Sequence, residues 1–242
     1  MAFLGGCSIL KPDIKKPKGE HEERGFFDRL FSKQEDDGDE RYLVDKATEA
    51  YSKGRFIAAS ENFQKVRDRY PFSPYATLAE LKMADCKYFE GLYEEAIQLY
   101  QEFEKLHPNN EAVSYVVFQI ALCHYKLMNT PDRDIAPTVK LLQTCERFLS
   151  KHQDSPYMFQ IKRMKEEARE RLAQHELVVV AWYLKDDQIA QARKRLKTIV
   201  EQYAETNTRK EAEALLATLP ADVKVEDSKK DRNILKKYIP FL

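Results

Sequence analysis

Laid over itself at an offset of 37 residues, the stretch from Ala47 to Pro71 falls on the stretch from Ala84 to Pro108. Ala47 meets Ala84, Tyr51 meets Tyr88, Gly54 meets Gly91, Phe56 meets Tyr93, Ala59 meets Ala96, Phe63 meets Tyr100, Val66 meets Phe103 and Pro71 meets Pro108. A register held through small, aromatic and proline positions of such restricted type excludes chance. It also narrows the fold sharply, because each unit of this length carries an apolar face that it cannot bury alone. Apolar residues within each unit recur at three and four, the spacing of one helix face, with almost no turn signals inside the runs.

The pattern is that of the tetratricopeptide repeat. Alanine lets two antiparallel helices approach closely, an aromatic plugs the gap between them, and proline ends the second helix because it has no N–H to continue it. A third copy is stretched: Ser155-Pro156-Tyr157 repeats Ser73-Pro74-Tyr75, and Ala121 with Tyr125 stands where Ala47 with Tyr51 stood. Residues Asn129 to Pro137 enlarge its inter-helix turn. A fourth copy lies 133 residues from the first, with Tyr183/Leu184, Ile189, Ala192, Leu196, Ile199 and Tyr203 in the apolar places and Ala204 where the closing proline would be. A last helix from about Thr208 to Leu219 would cap the stack, stopped by Pro220. The expected fold is therefore an all-α solenoid of about five helix-turn-helix units over residues 41–220. It is preceded by a tether (1–40) and followed by a charged tail (221–242).

The first helix of each pair is expected to form the inner wall of a groove. Val44, Thr48, Tyr51, Leu81, Asp85, Tyr88 and Phe89 are its candidate exposed or half-exposed residues, each as readily explained by packing between repeats, since a stripe at helical spacing is core by default. The tether is broken by Pro12, Pro17 and Gly19 and carries the acidic run Glu35-Asp36-Asp37-Gly38-Asp39-Glu40. Within it Phe26, Phe27, Leu30 and Phe31 sit at helical spacing, a short amphipathic segment suited to docking. The tail ends in Ile234-Leu235-Lys236-Lys237-Tyr238-Ile239-Pro240-Phe241-Leu242, either a frayed end or a small docking element.

Charge balance removes one class of partner. Forty Lys and Arg offset forty Asp and Glu, so the electrostatic footprint of a nucleic-acid binder is missing. Catalysis has no support either: no glycine-rich phosphate loop and no convergent nucleophile and base occur at suitable spacing, and the five histidines are scattered. The cysteines Cys7, Cys86, Cys123 and Cys145 form no metal-binding or dithiol spacing, and the last three fall on apolar helix faces as buried thiols. No enzyme activity, metal or cofactor is expected.

Near the start, Leu4-Gly5-Gly6-Cys7 followed by Ser8 has the form of a lipobox, in which the cysteine thiol takes a diacylglycerol after cleavage. Only six residues precede Cys7, too few for a full signal peptide. Acylated there, the chain would stand off a membrane surface on its charged linker.

Lipobox, linker and repeats together resemble the BamD (ComL) family, tetratricopeptide lipoproteins of the bacterial machine that assembles β-barrel outer-membrane proteins. The resemblance is carried by Tyr70-Pro71-Phe72-Ser73-Pro74-Tyr75-Ala76, by Asp132-Arg133-Asp134 in the enlarged turn, and by the run Arg171-Leu172-Ala173 to Val179-Val180-Ala181-Trp182-Tyr183-Leu184, with Ala192 and Arg195 beyond. It implies a protein anchored through Cys7 to the periplasmic face of the outer membrane. Its carboxyl-terminal repeats would hold the periplasmic domains of the barrel assembly protein, with Asp132, Arg133, Asp134 and Arg195 at that contact and other assembly lipoproteins as further partners. Its amino-terminal repeats would receive the carboxyl-terminal targeting segments of unfolded outer-membrane proteins. The missing proline at Ala204, the acid content of the tether and the tail after Pro220 depart from the family pattern. A pilotin-like lipoprotein or a cell-envelope accessory protein are the alternatives, which affinity purification and depletion would separate.

Overall fold

The structure, a computed structural model, describes residues 38–220. Nine helices account for them: α1 (Gly38–Ser52), α2 (Phe56–Arg69), α3 (Pro74–Phe89), α4 (Tyr93–Leu106), α5 (Val113–Leu127), α6 (Ala136–Lys151), α7 (Met158–Lys185), α8 (Ile189–Gln202) and α9 (Thr208–Thr218). There is no strand among the described residues. Each helix packs on its sequence neighbours, and the first helices of successive pairs also touch, which is the connectivity of a solenoid. The repeats expected from the sequence are these helix pairs, and α9 is the capping helix.

Two turns recur at fixed positions. After α1 the chain reverses at Gly54 (φ +72°): Gly54 N–H donates to Tyr51 O and Arg55 N–H to Ala50 O, a Schellman closure that satisfies carbonyls left open at the helix end. Gly91 (φ +80°) does the same after α3 and Asp187 (φ +56°) after α7, so the third instance runs without glycine. The other turn ends each second helix at Tyr70, His107, His152 or Tyr203, all with φ between −120° and −127°. There the prolines Pro71 and Pro108 sit just past the helices they close. At the next entry Ser73 accepts the Tyr75 N–H at 3.0 Å, and Pro74 occupies the first turn of α3, where a missing N–H costs nothing.

The core is divided among successive units. Leu43, Val44, Ala47, Ala59, Phe63 and Val66 of the first pair are sealed by Ala79, Met83 and Cys86 of α3. One repeat on, Val116, Ile120 and Cys123 of α5 seal the second pair from the same three positions. The third pair keeps its volume by exchange. Leu141 stands where the other pairs have Ala59, Ala96 and Ala192, while Cys145 stands where they have Phe63, Tyr100 and Leu196, so a larger residue is offset by a smaller one a turn away.

Helix α7 serves two units. Its first half carries Ile161 and Ala168 at 82 residues from Ala79 and Cys86, and closes the third core. Its second half carries Leu177, Val180 and Leu184 at 133 residues from Val44, Ala47 and Tyr51, and opens the fourth. Since α3 lies 37 residues after α1, the second register is 96 from α3 (133 − 37), which is 14 more than 82. Fourteen residues make about 21 Å of helix and fall roughly 40° short of four whole turns. The helix therefore keeps nearly the same face inward while stepping the last unit along its axis.

Both ends of α9 are held by its neighbours. The Glu170 carboxylate on α7 accepts Asn207 N–H (2.8 Å), Thr208 N–H (3.2 Å) and the Thr208 hydroxyl (2.6 Å), and Arg193 on α8 donates to Leu219 O (2.6 Å) and Leu216 O (3.3 Å). Acid at the amino end and base at the carboxyl end complement the helix dipole. This makes an eleven-residue helix, short on its own, a firm lid on the fourth core.

Candidate functional site

The Schellman turns set α1 against α2 and α3 against α4 so that their aromatic residues meet at one end of the first two repeats. Tyr51 lies edge-on to Phe56 (5.6 Å between centroids) and to Phe89 (6.0 Å), and Phe56 stacks on Phe89 at 4.9 Å. Tyr88 touches Phe89 (5.4 Å) and Tyr93 (5.6 Å), both edge to face. These are the ring arrangements that aromatic quadrupoles favour. The bank is not sealed: Phe89 is 50% exposed, Tyr51, Tyr88, Phe56 and Tyr93 are half-buried, and Thr48 one turn before Tyr51 is exposed. Burial pushes the Tyr88 phenol up to about 12, so it stays neutral at physiological pH. The Lys82 ammonium sits 4.7 Å from the Tyr51 ring centre, a cation on the face of the bank.

Beneath this surface lies a polar knot. Asp85, 1% exposed, accepts the Tyr100 hydroxyl (2.7 Å) and the Tyr115 hydroxyl (2.9 Å) on one oxygen and the Lys82 ammonium (2.9 Å) on the other. Its partners come from α3, α4 and α5, so the carboxylate ties the second repeat to the third. Of the seven residues expected on the wall, Thr48, Tyr51, Tyr88 and Phe89 reach the surface. Val44, Leu81 and Asp85 do not: all three are buried, and the expectation of exposure is corrected for them. Val44 and Leu81 repeat at 37 residues and fill the gap beneath the helix pair, while Asp85 is drawn inside by two tyrosine hydroxyls and an ammonium that together replace its water.

The sequence reading missed Phe56 and Tyr93 as members of the bank, although they were matched at the 37-residue offset. They begin second helices, and the turn glycines swing them back over the ends of the first. Cys86, Cys123 and Cys145 are buried free thiols, held at about 12 by burial. Cys7 lies outside the described residues, as do the Phe26-to-Phe31 segment and the tail from 221.

The second group of expected contact residues lies two repeats away. Asp132, Arg133 and Asp134 are all exposed on the enlarged turn, residues 128–135, eight residues where the turns within the other helix pairs have three. Asp134 accepts Ala136 N–H at 2.9 Å just before α6, and Asp132 is held below the usual carboxylate range by its hydrogen bond to Thr130. The turn is pinned where His175 of α7 donates from Nδ1 to Pro131 O at 2.7 Å. The next residue of α7, Glu176, holds Arg195 of α8 at 3.0 and 3.3 Å. The Arg195 side chain is 44% exposed.

The family model described as "Outer membrane lipoprotein" (YfiO) matches residues 36–235, well over half the chain. The chain belongs to the BamD family. Its relatives include the outer membrane protein assembly factor BamD of Caulobacter vibrioides, 25% identical over 211 residues that make up 87% of this chain and 64% of that one. The BamD of Xylella fastidiosa strain 9a5c is 24% identical over 78% of this chain and 68% of its own length. That of Vibrio cholerae is 24% identical over 68% and 72%. The chain thus spans under two thirds of the Caulobacter relative's length. The family match runs past Pro220 to residue 235. Among solved structures, the TPR2AB-domain:pHSP90 complex of yeast Sti1 is similar at 15% identity and a TM-score of 0.44, covering 84% of this chain and 78% of that one.

Proposed function

We propose that this chain is a non-enzymatic component of the machine that assembles β-barrel proteins in the bacterial outer membrane. In this reading it is anchored through an acylated Cys7 on the periplasmic face, and it acts by binding unfolded chains and sister subunits. The open aromatic bank formed by Tyr51, Phe56, Phe89, Tyr88 and Tyr93 carries the proposal. A partly exposed set of rings on a rigid two-repeat platform suits an extended segment whose alternate side chains are aromatic, since rings give large contact area at little entropic cost. Thr48 supplies a hydroxyl at the edge of the same surface, a polar anchor for a peptide backbone. Val44, Leu81 and Asp85 take the role of support, fixing the helices that present the rings.

The enlarged turn with Asp132, Arg133 and Asp134, together with Arg195, is the proposed contact for the periplasmic domains of the barrel assembly protein, with other assembly lipoproteins as further partners. Both charge signs are exposed there, and the turn is held rather than loose, which lowers the entropic cost of docking. The test is direct. A synthetic peptide of alternating polar and aromatic residues ending in phenylalanine should bind the full chain, and Phe89→Ala should weaken it by about tenfold or more, the loss of one central aromatic anchor. Equal affinity for both proteins would remove the bank from the mechanism. Mass spectrometry of protein extracted from native membranes checks the anchor, which an unmodified Cys7 would rule out.

A further inference from the structure

We infer that the tether segment Phe26-Phe27-Asp28-Arg29-Leu30-Phe31 folds back onto the aromatic bank of the first two repeats and competes with incoming peptides for it. The inference rests on the bank being a peptide site, and adds a built-in occupant that regulates it. Phe26, Phe27, Leu30 and Phe31 fall at sequence spacings of three, four and five, those at which a helix formed on docking would gather three rings and a leucine on one side. The bank is the complementary partner. It presents Phe89 half-exposed, flanked by the half-buried Tyr51 and Tyr88, on the face of α1 and α3.

Reach favours this segment over any other part of the chain. From Phe31 to the start of α1 at Gly38 there are seven residue steps, about 25 Å when extended. Helix α1 is 15 residues long, about 22 Å, and Tyr51 lies near its far end. The segment therefore comes level with the bank by running back along α1, with little slack to search elsewhere. The other apolar candidate, Tyr238 to Leu242, departs from the opposite end of the solenoid, three repeats away. A tether this short places the segment at millimolar effective concentration. Even a weak contact would then fill the bank much of the time and reduce the apparent affinity for an external peptide in proportion.

The experiment compares the full chain with a variant carrying Phe26→Ala, Phe27→Ala, Leu30→Ala and Phe31→Ala, all outside the repeats. The probe is a fluorescent synthetic peptide of alternating polar and aromatic residues ending in phenylalanine, followed by anisotropy. The variant is expected to bind it about tenfold more tightly, the gain from removing a millimolar intramolecular competitor of roughly 0.1 mM affinity. Identical affinity in both proteins would overturn the inference and leave the peptide site standing. A gain produced instead by deleting residues 234–242 would overturn it in favour of the tail. A second readout does not depend on the probe: p-benzoylphenylalanine at position 27 should photo-crosslink within the chain to α1 and α3 near Tyr51 and Phe89. If the probe binds neither protein, the peptide site fails, and the crosslink alone decides whether the segment docks. Its absence from α1 and α3 would overturn the inference.

Discussion

Replacing Asp85 should cost more than replacing any ring above it, because the carboxylate is the joint between the second and third repeats. In Asp85→Ala the Tyr100 hydroxyl, on a fully buried side chain, loses its acceptor, which costs about 1–3 kcal/mol. Lys82 loses a nearly buried counter-ion at 2.9 Å, and a charged hydrogen bond adds about 1.5–3 kcal/mol. The sum, roughly 2.5–6 kcal/mol, brackets the roughly 3–5 kcal/mol of breaking a buried pair from one side. Asp85→Asn keeps a carbonyl oxygen for both tyrosines but still removes the Lys82 counter-ion, and should lose about 1.5–3 kcal/mol. For a folded unit of this size the alanine variant should melt roughly 6–20 °C lower, and the asparagine variant about half as far, roughly 3–12 °C lower. Thermal melts by circular dichroism would measure both, with hydrogen exchange on α3 to α5 locating the loss. If the two variants melt together, or the alanine variant falls by less than 2 °C, the carboxylate is not holding the repeats and the assignment is refuted.

Three further outcomes follow from other positions. Gly54→Ala should destabilise by about 1–2 kcal/mol because φ is +72° there, whereas Asp187→Gly should stabilise by about 0.5–1 kcal/mol at the equivalent turn; urea titration checks the opposite signs. Burial lowers the His124 imidazole to about 4, so the unfolded chain binds the extra proton and stability should fall as pH drops from about 6.5 toward 4. His124→Gln should flatten that slope in melts taken across the range, and an unchanged slope would assign it to other groups. Glu170→Ala removes three hydrogen bonds at the start of α9 and should cost about 1–2 kcal/mol, seen as faster amide exchange from Thr208 to Leu215 with α1 to α4 unaffected.

The repeat register was open to reading because its signal is local. Alanine at Ala47, Ala84 and Ala121, the aromatics that follow, and Pro71 and Pro108 each report a contact within one helix pair, and the periodicity multiplies that report. What a side chain at a wall position does could not be read the same way. Asp85 and Thr48 occupy corresponding places on α3 and α1, yet one is buried and the other exposed, because Tyr100 and Tyr115 lie 15 and 30 residues beyond Asp85 and only folding brings their hydroxyls to it. The same distance hid the clamp on α9, whose carboxylate at Glu170 sits 37 and 38 residues before the amides it caps.

The two departures from the repeat, an enlarged turn and an overlong helix, meet at one hydrogen bond. Helix α7 steps the fourth unit about 21 Å along its axis. The turn at 128–135 extends from the third unit to the middle of that helix, where His175 bonds Pro131 O. The step also makes the place different from the regular stack on either side. It carries an exposed Asp132-Arg133-Asp134 on the turn, and the next residue of α7 after His175, Glu176, holds Arg195 of α8.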